Sequence, residues 1–281
     1  MPHRGASRSL VLRILLALPA VAAAVAFYLY LTLPNVSVLR MSNPTTTAFT
    51  ERRAAEARAR GENDRAIARH RLTAWASYDR ISPHLKRAVI LAEDGAFWQH
   101  DGLDYTQIKE SVEVNLERRE FARGASTVTQ QLAKNLYLSP SKNPIRKLEE
   151  LMIARRLEAQ LSKRRILELY LNVIEWGDGI YGAEAASRAY FQRPASTLTA
   201  DQSALLAAAI INPRILNPAR PSARLARRKQ LVLGRMGEVE PPPIVETAAE
   251  LDATPTIPIA GLPPVFGQPV PLEAPPPRRP Q

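Results

Sequence analysis

The sequence contains no cysteine, which excludes disulfide bonds and thiolate metal ligands. It has only four histidines, and none of them forms a paired spacing typical of a metal centre. Residues 81–236 also lack alternating apolar and polar runs of useful length, which argues against a sheet as the core. Any chemistry must therefore come from carboxylate, hydroxyl, amide and cationic side chains on a mainly helical framework.

The charge of the chain is strongly positive. Its 38 lysines and arginines exceed its 27 aspartates and glutamates, which gives a formal net charge of +11. Such an excess favours an anionic partner, and nucleic acid, a phospholipid surface or a phosphorylated substrate would each fit. With 281 residues, of which 46% are hydrophobic, the chain is long enough to bury a substantial core.

The N-terminal segment indicates a membrane anchor. Three arginines in residues 1–13 precede an uncharged run over residues 14–33. Twenty residues give a helix of about 30 Å, which is enough to cross a bilayer. The arginines predict a cytoplasmic N-terminus, so the rest of the chain would lie on the outer side of the membrane. This orientation disfavours nucleic acid as the partner.

A cleaved signal peptide is the alternative for the same segment. Residues 20–22 have the small-x-small form of a cleavage site. However, the apolar run continues beyond them through Phe27, Tyr28 and Tyr30, and such aromatic residues suit a membrane interface. An uncleaved signal anchor is therefore the favoured interpretation.

The rest of the chain divides into three parts by composition. Residues 34–80 form a juxtamembrane segment, in which a solvated helix over 51–71 is interrupted near 61–64. Residues 81–236 have helical periodicity almost throughout. Residues 237–281 contain thirteen of the 24 prolines and no periodicity, which predicts a disordered tail.

Helix start signals recur through the helical part. Ser82 followed by Pro83 is a good N-cap and first-turn pair, and Asp104 and Gln107 have capping spacing. Further helices are expected over 127–136 and 145–161. Ser162 and Thr199 are suited to cap the two helices after these.

Glu93 is the first candidate catalytic residue. It follows the apolar helical face of residues 85–92 and precedes Phe97 and Trp98. Aromatic bulk beside a carboxylate can raise its pKa, as a general base near neutral pH requires. The competing interpretation is an ordinary exposed glutamate. His100 is better explained as a hydrogen-bonding support than as a metal ligand.

The second candidate segment begins at Gly124 and leads into a helix. Its first turn would offer free backbone N–H groups to an anion, and its hydroxyl and amide side chains could bind sugar or phosphate oxygens. Lys134 lies four residues after Gln130 and is expected on the same face. An ordinary serine N-cap with solvated amides explains the pattern equally well.

The third segment places Arg146 four residues before Glu150, so the two are neighbours on one helix face. A surface ion pair of little energetic importance is the competing interpretation. Glu149 is out of register for the same role. Lys142 adds a further cation one turn before Arg146.

The three segments, in this order, resemble the signatures of the monofunctional biosynthetic peptidoglycan glycosyltransferases. The matching strings are Glu93-Asp94-x-x-Phe97-x-x-His100-x-Gly102, then GASTVTQQLAKN from Gly124, then Arg146-Lys147-x-x-Glu150. Residues 163–172 and 180–191 resemble two further signatures, and the resemblance covers roughly residues 43–236. It implies a mainly α, lysozyme-like glycosyltransferase domain, assigned here to 81–236, with a single N-terminal transmembrane helix.

The resemblance also implies an activity. Lipid II would be polymerised into β-1,4-linked glycan with release of polyprenyl pyrophosphate and inversion at the anomeric carbon. Glu93 would be the general base and Glu150 the second catalytic carboxylate. The implied substrate-binding residues are Asp94, Ser126, Thr127, Gln130, Gln131, Lys134, Asn135, Lys142, Arg146 and Lys147.

The resemblance leaves some partners open. A divalent cation, Mg²⁺ or Mn²⁺, is one option, with Glu150 as a candidate ligand, and no organic cofactor is expected. Expected partners are lipid II, the growing glycan strand and the bacterial inner membrane, with other cell-wall synthesis proteins left open. Two alternatives remain: a lysozyme-like lytic enzyme that acts on finished glycan, and an inactive membrane-anchored scaffold.

Overall fold

The structure is a computed structural model, and it describes residues 30–118, 126–138 and 144–238, with scattered residues between 17 and 28. These residues are mainly helical. The helices are α1 (Ala48–Ala59), α2 (Asp64–Ala68), α3 (Pro83–Glu93), α4 (Tyr105–Arg118), α5 (Val128–Tyr137), α6 (Pro144–Gln160), α7 (Lys163–Val173), α8 (Ala183–Phe191), α9 (Ala200–Ala209) and α10 (Ala223–Glu238). A short antiparallel hairpin, β1 (Glu175–Gly177) and β2 (Ile180–Tyr181), joins α7 to α8.

Most helices begin where the sequence predicts. Ser82 caps α3 with Pro83 in the first turn, and Asp104 Oδ1 accepts a hydrogen bond from Gln107 N before α4. Ser162 caps α7 through Arg165 N. Thr199 forms a capping box with Gln202 at α9, which satisfies two backbone donors at once. These local contacts confirm the predicted starts.

Two groups of helices enclose the core. Helix α3 packs against α9 and α10, while α5 packs against α6 and α7. The predicted apolar faces are buried: Leu85, Val89 and Leu132 have no exposed surface. Burying each such side chain stabilises the fold by about 1.5–3 kcal/mol. The packing brings the C-terminus of α3 close to α5, and this junction positions the site described below.

The prediction that the helix over 51–71 is solvated is wrong for one face of α1, which is packed against the core. Helix α1 packs against α5, and Ala54 and Ala57 are buried. Arg53 Nη2 pairs with Glu175 Oε2 of the hairpin at 2.9 Å. Small alanine side chains allow close approach, and the distant acidic partner could not be read from local composition. The predicted interruption between α1 and α2 is confirmed, with Gly61 at a φ of 71°.

Asn172 joins the segment after α2 to the helical core. Its side chain accepts from Ala76 N at 2.9 Å and donates to Ala76 O at 2.8 Å. Gly182 then lies against the same turn, with a φ of 86°, and a Cβ there would come within 2.9 Å of Asn172 O. Only glycine fits this position without displacing backbone.

Several predicted segments fall outside the described residues. These are residues 1–13, most of the predicted anchor over 14–33, and the proline-rich tail from 239 onwards. Among the residues that are described, no helix is both long enough and apolar enough to cross a membrane.

Candidate active site

Glu93 lies at the last position of α3, where its carboxylate meets α5. Gln131 Nε2 donates a hydrogen bond to Glu93 Oε2 at 2.9 Å. Burial raises the pKa of Glu93 above its ordinary value of 4.5, while the Gln131 hydrogen bond and the cations of Arg228 and Lys134 oppose the rise. The predicted direction of the shift is confirmed. A carboxylate with a raised pKa is suited to accept a proton near neutral pH.

Tyr170 of α7 fixes the orientation of Gln131. Its hydroxyl donates to Gln131 Oε1 at 2.8 Å, so the amide nitrogen of Gln131 must face Glu93. Burial raises the pKa of Tyr170 well above its ordinary value, and the carboxylates of Glu93 and Asp94 add to that rise. Tyr170 therefore stays a proton donor, and the chain Tyr170–Gln131–Glu93 holds the carboxylate in place.

Asp94 is only 1% exposed and serves the framework of the site. Its Oδ1 lies 2.9 Å from His100 Nε2, and its Oδ2 accepts from Val128 N at 2.9 Å. Gly102 N donates to His100 Nδ1, which fixes the tautomer with the proton on Nε2. Both Asp94 oxygens are thus engaged, so the structure gives Asp94 a positioning role instead of the predicted contact with substrate.

The start of α5 corrects part of the sequence interpretation. Thr127 and Gln130 are buried and form a capping box, and Thr127 Oγ1 also donates to Gly102 O at 2.7 Å. The first helical N–H is bound by Asp94, so this helix start already holds a carboxylate of the protein itself. Neither Thr127 nor Gln130 is therefore placed to contact substrate as predicted. Ser126 is exposed, while residues 124 and 125 lie outside the described chain.

Lys134 lies one turn after Gln131 on the accessible side of α5. The side chain of Gln130 was predicted to lie on the same face as Lys134. It instead folds back to the N-cap of α5 and accepts a hydrogen bond from Thr127 N. The ammonium of Lys134 can be reached by solvent, yet surrounding protein atoms still remove enough water to lower its pKa. Arg146 and Lys147 lower it further, while Glu150 and Glu93 oppose them. Lys134 therefore interacts electrostatically with both candidate carboxylates.

Glu150 is buried on α6 and is held by two cations. Arg146 Nη1 lies 3.2 Å from Glu150 Oε2, and Lys147 Nζ contacts the other carboxylate oxygen. The predicted pairing of Arg146 with Glu150 is confirmed, and Glu149 is less buried than Glu150. Because its side chain is only 5% exposed, Glu150 is better placed to orient cations than to react with substrate.

Two other residues predicted to bind substrate, Asn135 and Lys142, are not placed at the site by the structure. Asn135 is buried, and its amide donates to Gln131 O one turn earlier, which leaves it a structural role within α5. Lys142 lies outside the described residues.

Two residues of the site were missed by sequence reasoning. Tyr170 lies in the apolar pattern of α7 and so resembles a core residue, although its hydroxyl is a polar group that needs a partner when buried. Arg228 of α10 lies beyond the matching motifs, but its charge acts on Glu93. Its Nε donates to Ala208 O at 3.2 Å, while Arg235 Nη1 donates to Leu91 O in the last turn of α3.

Within the part of the chain that the structure describes, the acidic residues at the site do not fit a protein-held divalent cation. Both oxygens of Glu150 are bound by cations. A second acidic group, Asp94, His100 and Asp104, has its ligand atoms within 4.8 Å of one another. However, Asp94 and His100 bond to each other, and Asp104 caps α4. This group therefore acts as a hydrogen-bond network, and the described residues offer no ligand set for Mg²⁺ or Mn²⁺.

The chain is similar to known proteins over most of its length. A family model described as "Transglycosylase" matches residues 61–237. A biosynthetic peptidoglycan transglycosylase of Nitrosomonas eutropha is 47% identical over 235 residues, which cover 84% of this chain and 93% of the relative. One from Chromobacterium violaceum is 45% identical over 225 residues, with 80% and 96% covered. One from Thiobacillus denitrificans is 48% identical over 200 residues, with 71% and 84% covered.

The family model spans most of the helical chain and includes every described residue of the site. The chain belongs to the transglycosylase family. It is a glycosyltransferase enzyme of peptidoglycan synthesis, as the resemblance of its motifs implies. Its place is therefore the cell envelope.

Proposed function

We propose that the protein polymerises lipid II into β-1,4-linked glycan strands and releases polyprenyl pyrophosphate. The observation that carries the proposal is the position of Lys134, whose charge acts on both Glu93 and the buried Glu150. Synthesis from a pyrophosphate donor needs a base on one side of the reacting carbon and positive charge on the other. Hydrolysis of finished glycan needs no such cation cluster.

In the proposed reaction Glu93 removes the proton from the 4-hydroxyl of the acceptor sugar. The oxygen then attacks the anomeric carbon of the donor, and the bond from that carbon to the pyrophosphate oxygen breaks on the opposite face. Attack from the far side inverts the configuration, so an α-linked donor gives a β-linked product. The Tyr170–Gln131 pair keeps the base oriented during the transfer.

The departing pyrophosphate is stabilised by cations of α5 and α6. Glu150 pairs with Arg146 and Lys147 and holds them in position, and its charge also acts on Lys134. Lys142 adds to this cluster in the proposal. A well-placed charge-stabilising group contributes about 10²–10³ in rate, so the cluster is comparable to the base, which contributes about 10²–10⁴. Because Glu150 is fully engaged by cations, the proposal assigns no step to a protein-bound metal ion.

The proposal includes a membrane anchor over residues 14–33 and a lysozyme-like arrangement of the domain outside the inner membrane. Its support is the uncharged run that follows Arg13, together with a substrate that carries a polyprenyl tail. The anchor would keep the site close to the membrane surface, where lipid-linked substrate is found.

Labelled lipid II and purified murein, each incubated with the full chain, test the proposal. If the protein is a synthase, long glycan should form from lipid II. The glycan should still form when a chelator is present. Cleavage of murein without reaction on lipid II would identify a lytic enzyme. No reaction on either substrate would identify a scaffold.

A further inference from the structure

An open cavity of about 840 Å³ lies away from Glu93, between the end of the N-terminal apolar segment and α6. Its walls include Tyr30, Leu33, Leu151, Met152, Arg155 and Arg156. The lining therefore combines apolar side chains with two arginines. None of the described residues of the candidate active site lines it, so the cavity is a separate feature of the fold.

The two arginines bond to neutral groups. Arg155 Nη1 donates to Asp101 O at 3.2 Å, and Arg156 Nη1 donates to Leu33 O at 3.1 Å and Pro34 O at 3.3 Å. The Arg156 guanidinium also lies 5.2 Å from the centre of the Tyr30 ring. Because carbonyl and ring partners carry no net charge, these contacts position the arginines without neutralising them.

Two acidic residues, Asp101 and Glu158, also line the cavity. Glu158 bonds to Lys163 Nζ at 2.8 Å and to Thr129 Oγ1 at 2.5 Å, so its charge is compensated. With Lys163 included, three cationic side chains face two carboxylates at the cavity. The cavity therefore keeps an excess of positive charge, and its charged side complements an anion.

An apolar stripe extends from the cavity along α6. Leu148 and Ile145 lie one and two turns before Met152, on the same face, and are 42% and 48% exposed. Free phosphate has no apolar part that could contact this stripe. A ligand that fills both parts must carry an anionic head and a long apolar chain.

We infer that this cavity binds one anionic phospholipid of the surrounding membrane. The phosphate lies against Arg155 and Arg156, and an acyl chain follows Met152, Leu148 and Ile145. The inference rests on the proposed anchor, because residues 14–33 would bring Tyr30 and Leu33 to the level of the lipid headgroups. Binding there would fix the first residues of the domain to the membrane surface.

Native mass spectrometry of the full chain, taken from nanodiscs with defined fractions of phosphatidylglycerol and phosphatidylcholine, tests this site. Each arginine near an anionic lipid surface contributes about fivefold in binding. Arg155→Gln should therefore weaken phosphatidylglycerol retention about fivefold, and Arg155→Gln with Arg156→Gln about thirtyfold. Arg155→Lys should retain most of the binding, because the charge is kept. Arg224→Gln, an exposed arginine of α10, is the matched control and should bind like the wild type.

Arg155→Gln avoids the contacts that Arg156 makes to the chain at Leu33 and Pro34, so its result does not depend on the folding of the double variant. Equal retention by Arg155→Gln and wild type would overturn the inference. Equal retention of phosphatidylcholine, or displacement of the lipid by inorganic phosphate at similar concentration, would also overturn it. Because the assay contains no lipid II, its result does not depend on whether the protein polymerises lipid II. Extraction of the wild type from membranes by carbonate would identify a failure of the anchor itself.

Discussion

The Gln131 amide donates to the Glu93 carboxylate at 2.9 Å, across the contact between α5 and α3. The same amide accepts from Tyr170, so three helices fix one carboxylate. This arrangement combines burial, which raises the pKa of Glu93, with a donor that stabilises its charged form. Its raised pKa makes Glu93 a stronger proton acceptor than an ordinary exposed glutamate.

Tyr170→Phe tests whether the orientation of Gln131 matters for the reaction. The change removes one hydrogen bond to Gln131 Oε1, and a loss of about 1 kcal/mol in positioning corresponds to about fivefold in kcat. Tyr190→Phe is the matched control, because it removes a hydrogen bond to Trp176 O away from the site. Both variants should lose similar stability, while only Tyr170→Phe should lower kcat. Equal kcat values for the two variants would remove Tyr170 from the site.

Lys134→Ala should lower the rate of lipid II polymerisation by about 10²–10³, because it removes a cation whose charge acts on both carboxylates. The loss should appear in single-turnover rates, where product release does not interfere. Lys86→Ala offers a control, since Lys86 is a partly buried lysine that contacts Tyr78 outside the site. Near-normal turnover by Lys134→Ala would undo the assignment of the pyrophosphate site.

Arg228→Gln should move the acidic limb of the pH–rate profile to higher pH. Glu93 must be ionised to act as a base, so the rate falls as pH drops through its pKa. The Arg228 cation lowers that pKa, and its removal therefore raises it. The other groups that act on Glu93 are Asp94, Lys134 and Gln131, and all are retained in this variant.

The neighbouring exposed Arg227 provides the control for this shift. Arg227→Gln changes the net charge by the same amount and should leave the profile in place. If both variants shift the limb equally, the effect is one of overall charge, and Arg228 has no special relation to Glu93.

Asn172→Ala should destabilise the fold by about 2–5 kcal/mol. The change leaves the buried backbone N–H and C=O of Ala76 without partners, and each such group costs about 1–3 kcal/mol. Denaturant unfolding measures the loss. Asn217→Ala, which removes one exposed hydrogen bond to Ala219 N, should cost much less. A similar cost for both would mean that Asn172 does not hold the N-terminal segment.

Local rules predicted the helices well, because capping depends on residues three or four apart. Ser82, Thr199 and the spacing from Arg146 to Glu150 could be read without knowledge of the fold. The same rules were insufficient at Thr127, since the first helical N–H of α5 is bound by Asp94, 34 residues earlier in the chain. No local pattern indicates such a partner.

The remaining features depend on long-range packing. The local composition of α1 predicts a solvated helix. Its contact with the core depends on Arg53, which pairs with Glu175, 122 residues later in the chain. Arg228 likewise lies 135 residues after Glu93, in a basic helix with no distinctive motif. The sequence could therefore identify the two carboxylates and Lys134 through their motifs, but not the residues that orient or tune them.

The most direct test of the central claim is lipid II polymerisation by Glu93→Gln. The amide cannot accept the proton, so turnover should be abolished while lipid II binding stays measurable. The folded-state pKa of Glu93 is raised, so its ionisation destabilises the fold as pH rises through that value. The neutral variant should therefore unfold at a temperature no lower than the wild type at pH 7. Loss of glycan synthesis by this folded, lipid II-binding variant is the predicted result, and appreciable turnover would contradict the assignment of Glu93 as the base.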